Sequence, residues 1–207
     1  MAVEVAVGGD GEDVDMDLDH GVDRKRANLD SGGDVAENPC VTDDSDATGT
    51  PLTGTGPATD AVNAALRWLG TRYSWGGGTP SGPSTGICCS PGGQDGRVVT
   101  GFDCSGLVLY AYAQIGVRLP HLAHDITYNS GGQVIPRDFA QMRPGDVIGF
   151  SHAPGGRVFH AGIYMGDGRM VNSDGSGVSI DSLTTGYYSR HAWQPVRRPA
   201  RPRTRGR

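Results

Sequence analysis

No stretch of 18 apolar residues occurs in the 207 residues of this chain, so no segment reads as a membrane-spanning helix. The first ten residues lack a basic region followed by an apolar core, and no secretory signal is visible there. Cysteine is scarce. Cys40, Cys88, Cys89 and Cys104 do not form the two separated C-x-x-C pairs of a structural zinc site. His121-x-x-His124 has no convincing third ligand, so no metal and no cofactor is expected. Asp13, Asp15, Asp17 and Asp19 alternate as in a calcium loop, but the required Gly and the closing Glu are missing. Residues 1–56 are acidic, Gly-rich and almost without aromatic residues, which predicts disorder: a solvated tail, or a linker from a longer parent. The net charge of −5 says little about partners, because 15 of the 23 acidic residues precede position 61 and six arginines crowd the last eleven positions. Without its ends the chain is nearly balanced.

What is present is enough for one domain, expected over residues 57–197, followed by a disordered Arg/Pro-rich tail at 198–207. That tail either is simply solvated or attracts anionic polymers. The 34 glycines predict long loops. A first helix is expected with Thr59 or Asp60 as its cap, Val62, Ala65, Leu66 and Leu69 on one face, and Gly70 as its stop. Tyr73-Ser-Trp-Gly-Gly-Gly78 then leads into a Gly/Pro/Ser segment from Thr79 to Thr100, long enough to be a lid, a binding loop or disorder. A second helix follows Asp103, with Leu107, Val108, Ala111 and Ile115 at helical spacing and Gly116 closing it. Leu119-Pro120 breaks the chain. Strands are expected at Asp146–Phe150, Val158–Met165, Arg169–Ser173, Val178–Ile180 and Ala192–Val196. Helices first and antiparallel strands afterwards argue an α+β fold.

The chemistry centres on Gly101-Phe-Asp-Cys-Ser-Gly-Leu-Val108. Asp103 is a good N-cap, which places Cys104 in the first turn, where free N–H groups and the helix dipole should lower its thiol pKa. A small buried hydrophobe is the competing reading of any free cysteine. With Cys104 set aside as nucleophile, Cys40 is left to pair with Cys88 or Cys89 in an oxidising compartment. A thiol nucleophile needs a base, and the base needs an orienting group. Of six histidines only His160 lies inside a clear strand. If Gly166-Asp167-Gly168 is a three-residue loop, Asn172 faces Gly162 and lies diagonal to His160. If the turn is Asp167-Gly168 alone, the two side chains point to opposite faces. Asp174 is the rival orienter.

Four fragments in order resemble the NlpC family of papain-like cell-wall peptidases, over roughly Thr59 to Val196. They are Tyr73-Ser-Trp-Gly-Gly77, Phe102-Asp-Cys-Ser-Gly-Leu-Val108, Met142-Arg-Pro-Gly-Asp-Val-Ile-Gly-Phe150, and the hairpin from His160 to Asn172. The resemblance implies a papain-like fold, with helices packed on an antiparallel sheet of about five strands. It implies hydrolysis of peptidoglycan stem peptides, typically between D-glutamate and a diamino acid, by a monomer outside the cell or at its wall. By resemblance Cys104 attacks, His160 carries the proton and Asn172 orients it. Tyr73 faces the oxyanion with the Cys104 N–H, and Asp103 and Ser105 flank the substrate unless Asp103 is only the cap. His121-Leu-Ala123 stands where the family often has Arg-Thr-Ser, so contacts from that segment differ. Two other functions fit the same residues: a papain-like acyltransferase or amidase, and a non-catalytic wall-binding module.

Overall fold

The computed structural model describes residues 49–193 and 196–198. The acidic tract, Cys40 and the arginines beyond Arg198 lie outside the described residues. The ordered part begins upstream of Pro57: the Leu52 N–H donates to Asn63 Oδ1 at 2.8 Å, and Leu52 packs against the core. Helix α1 spans Pro57–Leu66, and its cap position is Gly56, three residues before Thr59 and four before Asp60, the expected caps. Pro57 explains the early start, since its φ is preset and its missing N–H would have been unsatisfied there anyway. Ala61, Val62, Ala65 and Leu66 face inward, and Gly70, at φ 79°, turns the chain out.

The segment expected to be a lid, a binding loop or disorder is a docked element. Its ends pair as two short strands, β1 (Ser84–Thr85) and β2 (Thr100–Gly101). Between them the N–H of Ile87 donates to the Trp75 carbonyl at 2.8 Å, and that of Gly96 donates to the Ile87 carbonyl at 3.0 Å. A Cβ at Gly86 or at Gly96 would overlap the Trp75 carbonyl, so only glycine lets the segment close on it.

Helix α2, Cys104–Ala113, is buried on almost every side, as a central helix with an all-round apolar sequence must be. Helix α3, Ala123–Asn129, follows the Leu119-Pro120 break and was not foreseen. It has no side-chain cap and owes its place to the buried Ala123, Ile126 and Thr127. Then come β3 (Gln133–Ile135), β4 (Val147–Ser151), β5 (His160–Gly166), β6 (Arg169–Asp174), β7 (Gly177–Ser182), the one-turn α4 (Gly186–Ser189), β8 (Ala192–Trp193) and β9 (Val196–Arg198).

These form a seven-stranded antiparallel sheet in the order β3-β9-β4-β5-β6-β7, with β8 also on β4. About five strands were expected; β3 is additional, and the last expected strand divides into β8 and β9. Strand β9 carries Arg197 and Arg198 beside β3, so the sheet reaches Arg198, the first residue assigned from composition to the tail. A ladder is made by backbone N–H and C=O groups, and charged side chains are tolerated on it. The core has two layers. One, with Val62, Leu107, Ala161, Ile163 and Val171, lies between the helices and the sheet. The other, with Ile148, Phe150, Tyr164, Met170 and Tyr188, covers the opposite face. Among the described residues no helix is long and apolar enough to cross a membrane.

The β5–β6 hairpin resolves the register question in an unforeseen way. Its turn is Asp167-Gly168, with Gly166 paired to Arg169, and a bulge between Tyr164 and Gly166 takes up one extra residue. The bulge restores the phase, so Asn172 faces Gly162 despite the shorter turn.

Candidate active site

The start of α2 is held by the glycine turn upstream. Asp103 caps the helix: its Oδ1 accepts the Gly106 N–H at 2.6 Å and the Ser105 hydroxyl at 2.8 Å. Its Oδ2 accepts the Gly76 N–H at 3.0 Å, while its own N–H donates to the Gly77 carbonyl at 3.0 Å. A Cβ on Gly106 would overlap that same Gly77 carbonyl, so the helix start and the turn touch backbone to backbone. His121 Nε2 lies 3.2 Å from Asp103 Oδ1, and the hydrogen bond to Asp103 raises the His121 pKa above the ordinary value. Both Asp103 oxygens and the Ser105 hydroxyl are thus occupied within the protein. The two residues flagged as flanking a substrate sit in the frame of the nucleophile helix.

Cys104 is 8% exposed, at the first helical position. Its sulfur meets the backbone amides of Ala161, Ser105 and Cys104 itself, which favour a thiolate. Burial and the neighbouring Asp103 carboxylate act the other way and are stronger, so the thiol pKa is pushed up to about 12. This reverses the expectation of a lowered pKa: the helix start alone does not offset loss of solvent. Tyr73, bridged to Phe102, also has its pKa raised, mainly by burial and further by the nearby Cys104, and remains a phenol. The Ser173 hydroxyl donates to the Phe102 carbonyl at 2.9 Å and ties β6 to the nucleophile loop.

His160 is the first residue of β5, immediately before the Ala161 whose amide reaches the sulfur. Its Nε2 lies 2.8 Å from Asn172 Oδ1. Three chemical constraints fix the proton. The Asp181 carboxylate only accepts, so Asn172 Nδ2 is the group that meets its Oδ2 at 2.7 Å. Asn172 Oδ1 must then face His160, and because it too only accepts, Nε2 carries the hydrogen. In the neutral imidazole the lone pair then belongs to Nδ1. The Ser179 hydroxyl donates to Asp181 Oδ2 at 2.8 Å and holds the carboxylate in turn. Tyr188 closes the group. Its ring stacks on His160 at 5.1 Å, and its oxygen lies 3.1 Å from both His160 Nε2 and Asn172 Oδ1 and 3.3 Å from Asp174 Oδ2. Burial, with the charges of Asp174 and Asp181, raises the Tyr188 pKa and keeps the hydroxyl protonated.

Asp174, the rival orienter, therefore reaches Tyr188, while Asn172 holds the imidazole. Asp181 and Tyr188 were missed from sequence. Ser179 and Asp181 alternate on β7 beside Asn172, a period-two signal that could have found the first. Tyr188, on a single turn far along the chain, carried no such signal.

Cys88 and Cys89 are disulfide-bonded to each other, which corrects the pairing with Cys40. With Asp95 they are the one group placed closely enough for a metal among the described residues. Both sulfurs are committed to the disulfide, however, and Asp95 is bonded by Arg97 at 2.8 Å. They offer no ligand set.

A cysteine at the start of a buried helix, beside an antiparallel sheet carrying a histidine and its amide partner, defines the papain-like α+β class. The chain belongs to the NlpC/P60 family, whose model matches residues 70–197. The peptidoglycan endopeptidase RipA of Mycobacterium tuberculosis (strain ATCC 25618 / H37Rv) is 40% identical over 119 residues, 58% of this chain and 22% of RipA. The structure of the peptidoglycan hydrolase RipB of the same species superposes with a TM-score of 0.57 and 31% identity, covering 69% of this chain and 64% of that one. RipD of M. tuberculosis, a non-catalytic NlpC/p60 domain protein adapted to peptidoglycan binding, superposes with a TM-score of 0.55 and 28% identity, over 69% of this chain and 96% of RipD. This chain spans less than two thirds of the length of RipA and of the RipB chain.

Proposed function

We propose that the protein is a cysteine endopeptidase that hydrolyses peptidoglycan stem peptides, at the bond between D-glutamate and the diamino acid, outside the cell or at the wall. The carrying observation is the placement of His160: a hydrogen bond of 2.8 Å to Asn172 holds its Nε2, and the amide of the next residue, Ala161, meets the sulfur of the buried Cys104. The peptidoglycan endopeptidases among its relatives support the substrate class.

Because burial holds the resting thiol above its ordinary pKa, the nucleophile is made by transfer of its proton to His160 Nδ1 as the sulfur attacks. The C–S bond forms, the carbonyl electron pair moves to oxygen, and the imidazolium leans on Asn172. The oxyanion faces the Cys104 N–H, which the helix cannot satisfy internally, and the Tyr73 hydroxyl. His160 then protonates the leaving amine as the C–N bond breaks. Water, deprotonated by His160, cleaves the thioester, and the proton returns to sulfur. Asp103, Ser105 and His121 keep the helix start in place throughout.

Incubation with defined stem peptides and analysis of products by mass spectrometry tests this reading. New amino termini on the diamino acid, lost in Cys104→Ala, are expected. Transfer of the acyl group to another amine instead of water would favour acyltransfer. Absence of products, with binding retained, would place the protein beside RipD as a binding module.

A further inference from the structure

The docked 79–100 segment creates a cavity that the catalytic scheme does not use. It has a volume of about 390 Å³ and is walled by Tyr73 and Trp75 on one side, Val98 and Val99 on the other, and the β6–β7 turn at Gly175-Ser176. That size lies within the range of small-ligand sites. Tyr73 relates it to the nucleophile, since it lines the cavity and senses the charge of Cys104.

The walls are built. The Ser74 hydroxyl, inside the protein, lies 2.7 Å from the Val99 carbonyl and 3.1 Å from that of Gly96, and donates to one of them. With the Trp75 carbonyl gripped by Ile87, the wall is anchored at two points.

Two charged side chains line it, Arg72 and Asp95, while Asp103 and Asp174 act on Tyr73 in its wall. Asp95, the acid on the rim, is bonded by Arg97 at 3.0 Å through Nε and 2.8 Å through a terminal nitrogen. Arg72, on the same rim, is exposed and makes no ion pair among the described residues. Val98, although apolar, is 78% exposed beside it. An apolar surface next to a guanidinium with no ion pair among the described residues is complementary to a small aliphatic group bearing a carboxylate.

We propose that this cavity is a subsite for the carboxylate end of a stem peptide: Arg72 pairs with the terminal carboxylate, and Val98, Val99 and Trp75 cover the adjoining aliphatic side chain. The proposal rests on the peptidoglycan reading for the identity of the peptide. Binding tests it independently of turnover. In the full chain carrying Cys104→Ala, calorimetry compares a synthetic stem tetrapeptide ending in D-alanine with its C-terminal amide. The acid should bind at least ~10-fold tighter than the amide. Arg72→Gln should abolish that preference by weakening the acid alone, and Val98→Glu, at an exposed position that leaves the fold intact, should weaken the acid more than the amide. Equal binding of acid and amide, unchanged acid binding in both variants, or no binding of either peptide would each overturn the subsite. Turnover of the same tetrapeptide by protein with Cys104 intact separates the two readings. Binding that depends on Arg72 without products sinks the peptidase. Products whose kcat/KM ignores Arg72→Gln sink the subsite.

Discussion

The two halves of the site are made of different materials. On the nucleophile side almost everything is backbone: Gly76, Gly77 and Gly106 press against the Asp103 cap, with no room for a Cβ on Gly106. On the histidine side almost everything is side chain, running from His160 to Asn172, Asp181 and Ser179, with Tyr188 stacked alongside. Backbone contacts either fit or fail, since a carbonyl cannot change rotamer. A side-chain relay can lose a member and still hold a weaker version of the same geometry. The nucleophile side should therefore respond to substitution through folding, and the histidine side through turnover.

The sharpest way to break this contrast is Gly106→Ala. The added methyl meets the Gly77 carbonyl, and overpacking against backbone should cost about 3 kcal/mol or more. A thermal midpoint lowered by roughly 10 °C or more, or insoluble protein, is expected; a variant as stable as the parent would show that the helix start can yield. Next in size is Asp181→Ala, which frees the Asn172 amide to turn over. We expect kcat to fall about tenfold with KM and the thermal midpoint nearly unchanged, and most activity to return in Asp181→Asn, which can still accept from Asn172. A loss confined to stability, or no rescue by Asn, would mean that Asp181 does not orient the amide. The smallest effect belongs to His121→Gln. The His121 pKa is raised on folding, so its bond to Asp103 stabilises fully below the ordinary value near 6.5 and fades as pH rises through the folded value. Melting should show a difference of about 0.5 kcal/mol at pH 5.5 that shrinks above neutrality; a gap that grows with pH would reverse the assignment.

The sequence was legible where the determinants are local. Asp103 as cap and Cys104 as the first helical residue follow from three or four neighbouring residues, and the structure has both. The facing of Asn172 and Gly162 was legible from the residue count, although the count is met by a bulge and a short turn rather than a longer loop. What escaped is long-range. The raised thiol pKa depends first on burial, which comes from elements far from Cys104 in sequence. The 79–100 segment read as a lid, a binding loop or disorder because its Gly and Pro content breaks periodicity. Its order comes from carbonyls at Trp75 and Val99, and backbone groups leave no mark in residue type. Helix α3 lacked a cap signal, and β9 was masked by arginines that the backbone ladder ignores.

The bulge at Met165 also bears on how this site tolerates insertions and deletions. Between His160 and Asn172 the chain behaves as a counter with two states. Removing a single residue there, by deletion or by flattening the bulge, would switch Asn172 to the other face and disconnect the imidazole from its amide at one stroke. Removing two would preserve the parity. Hairpin libraries built on this domain should therefore give active members in even steps of length and inactive ones in odd steps.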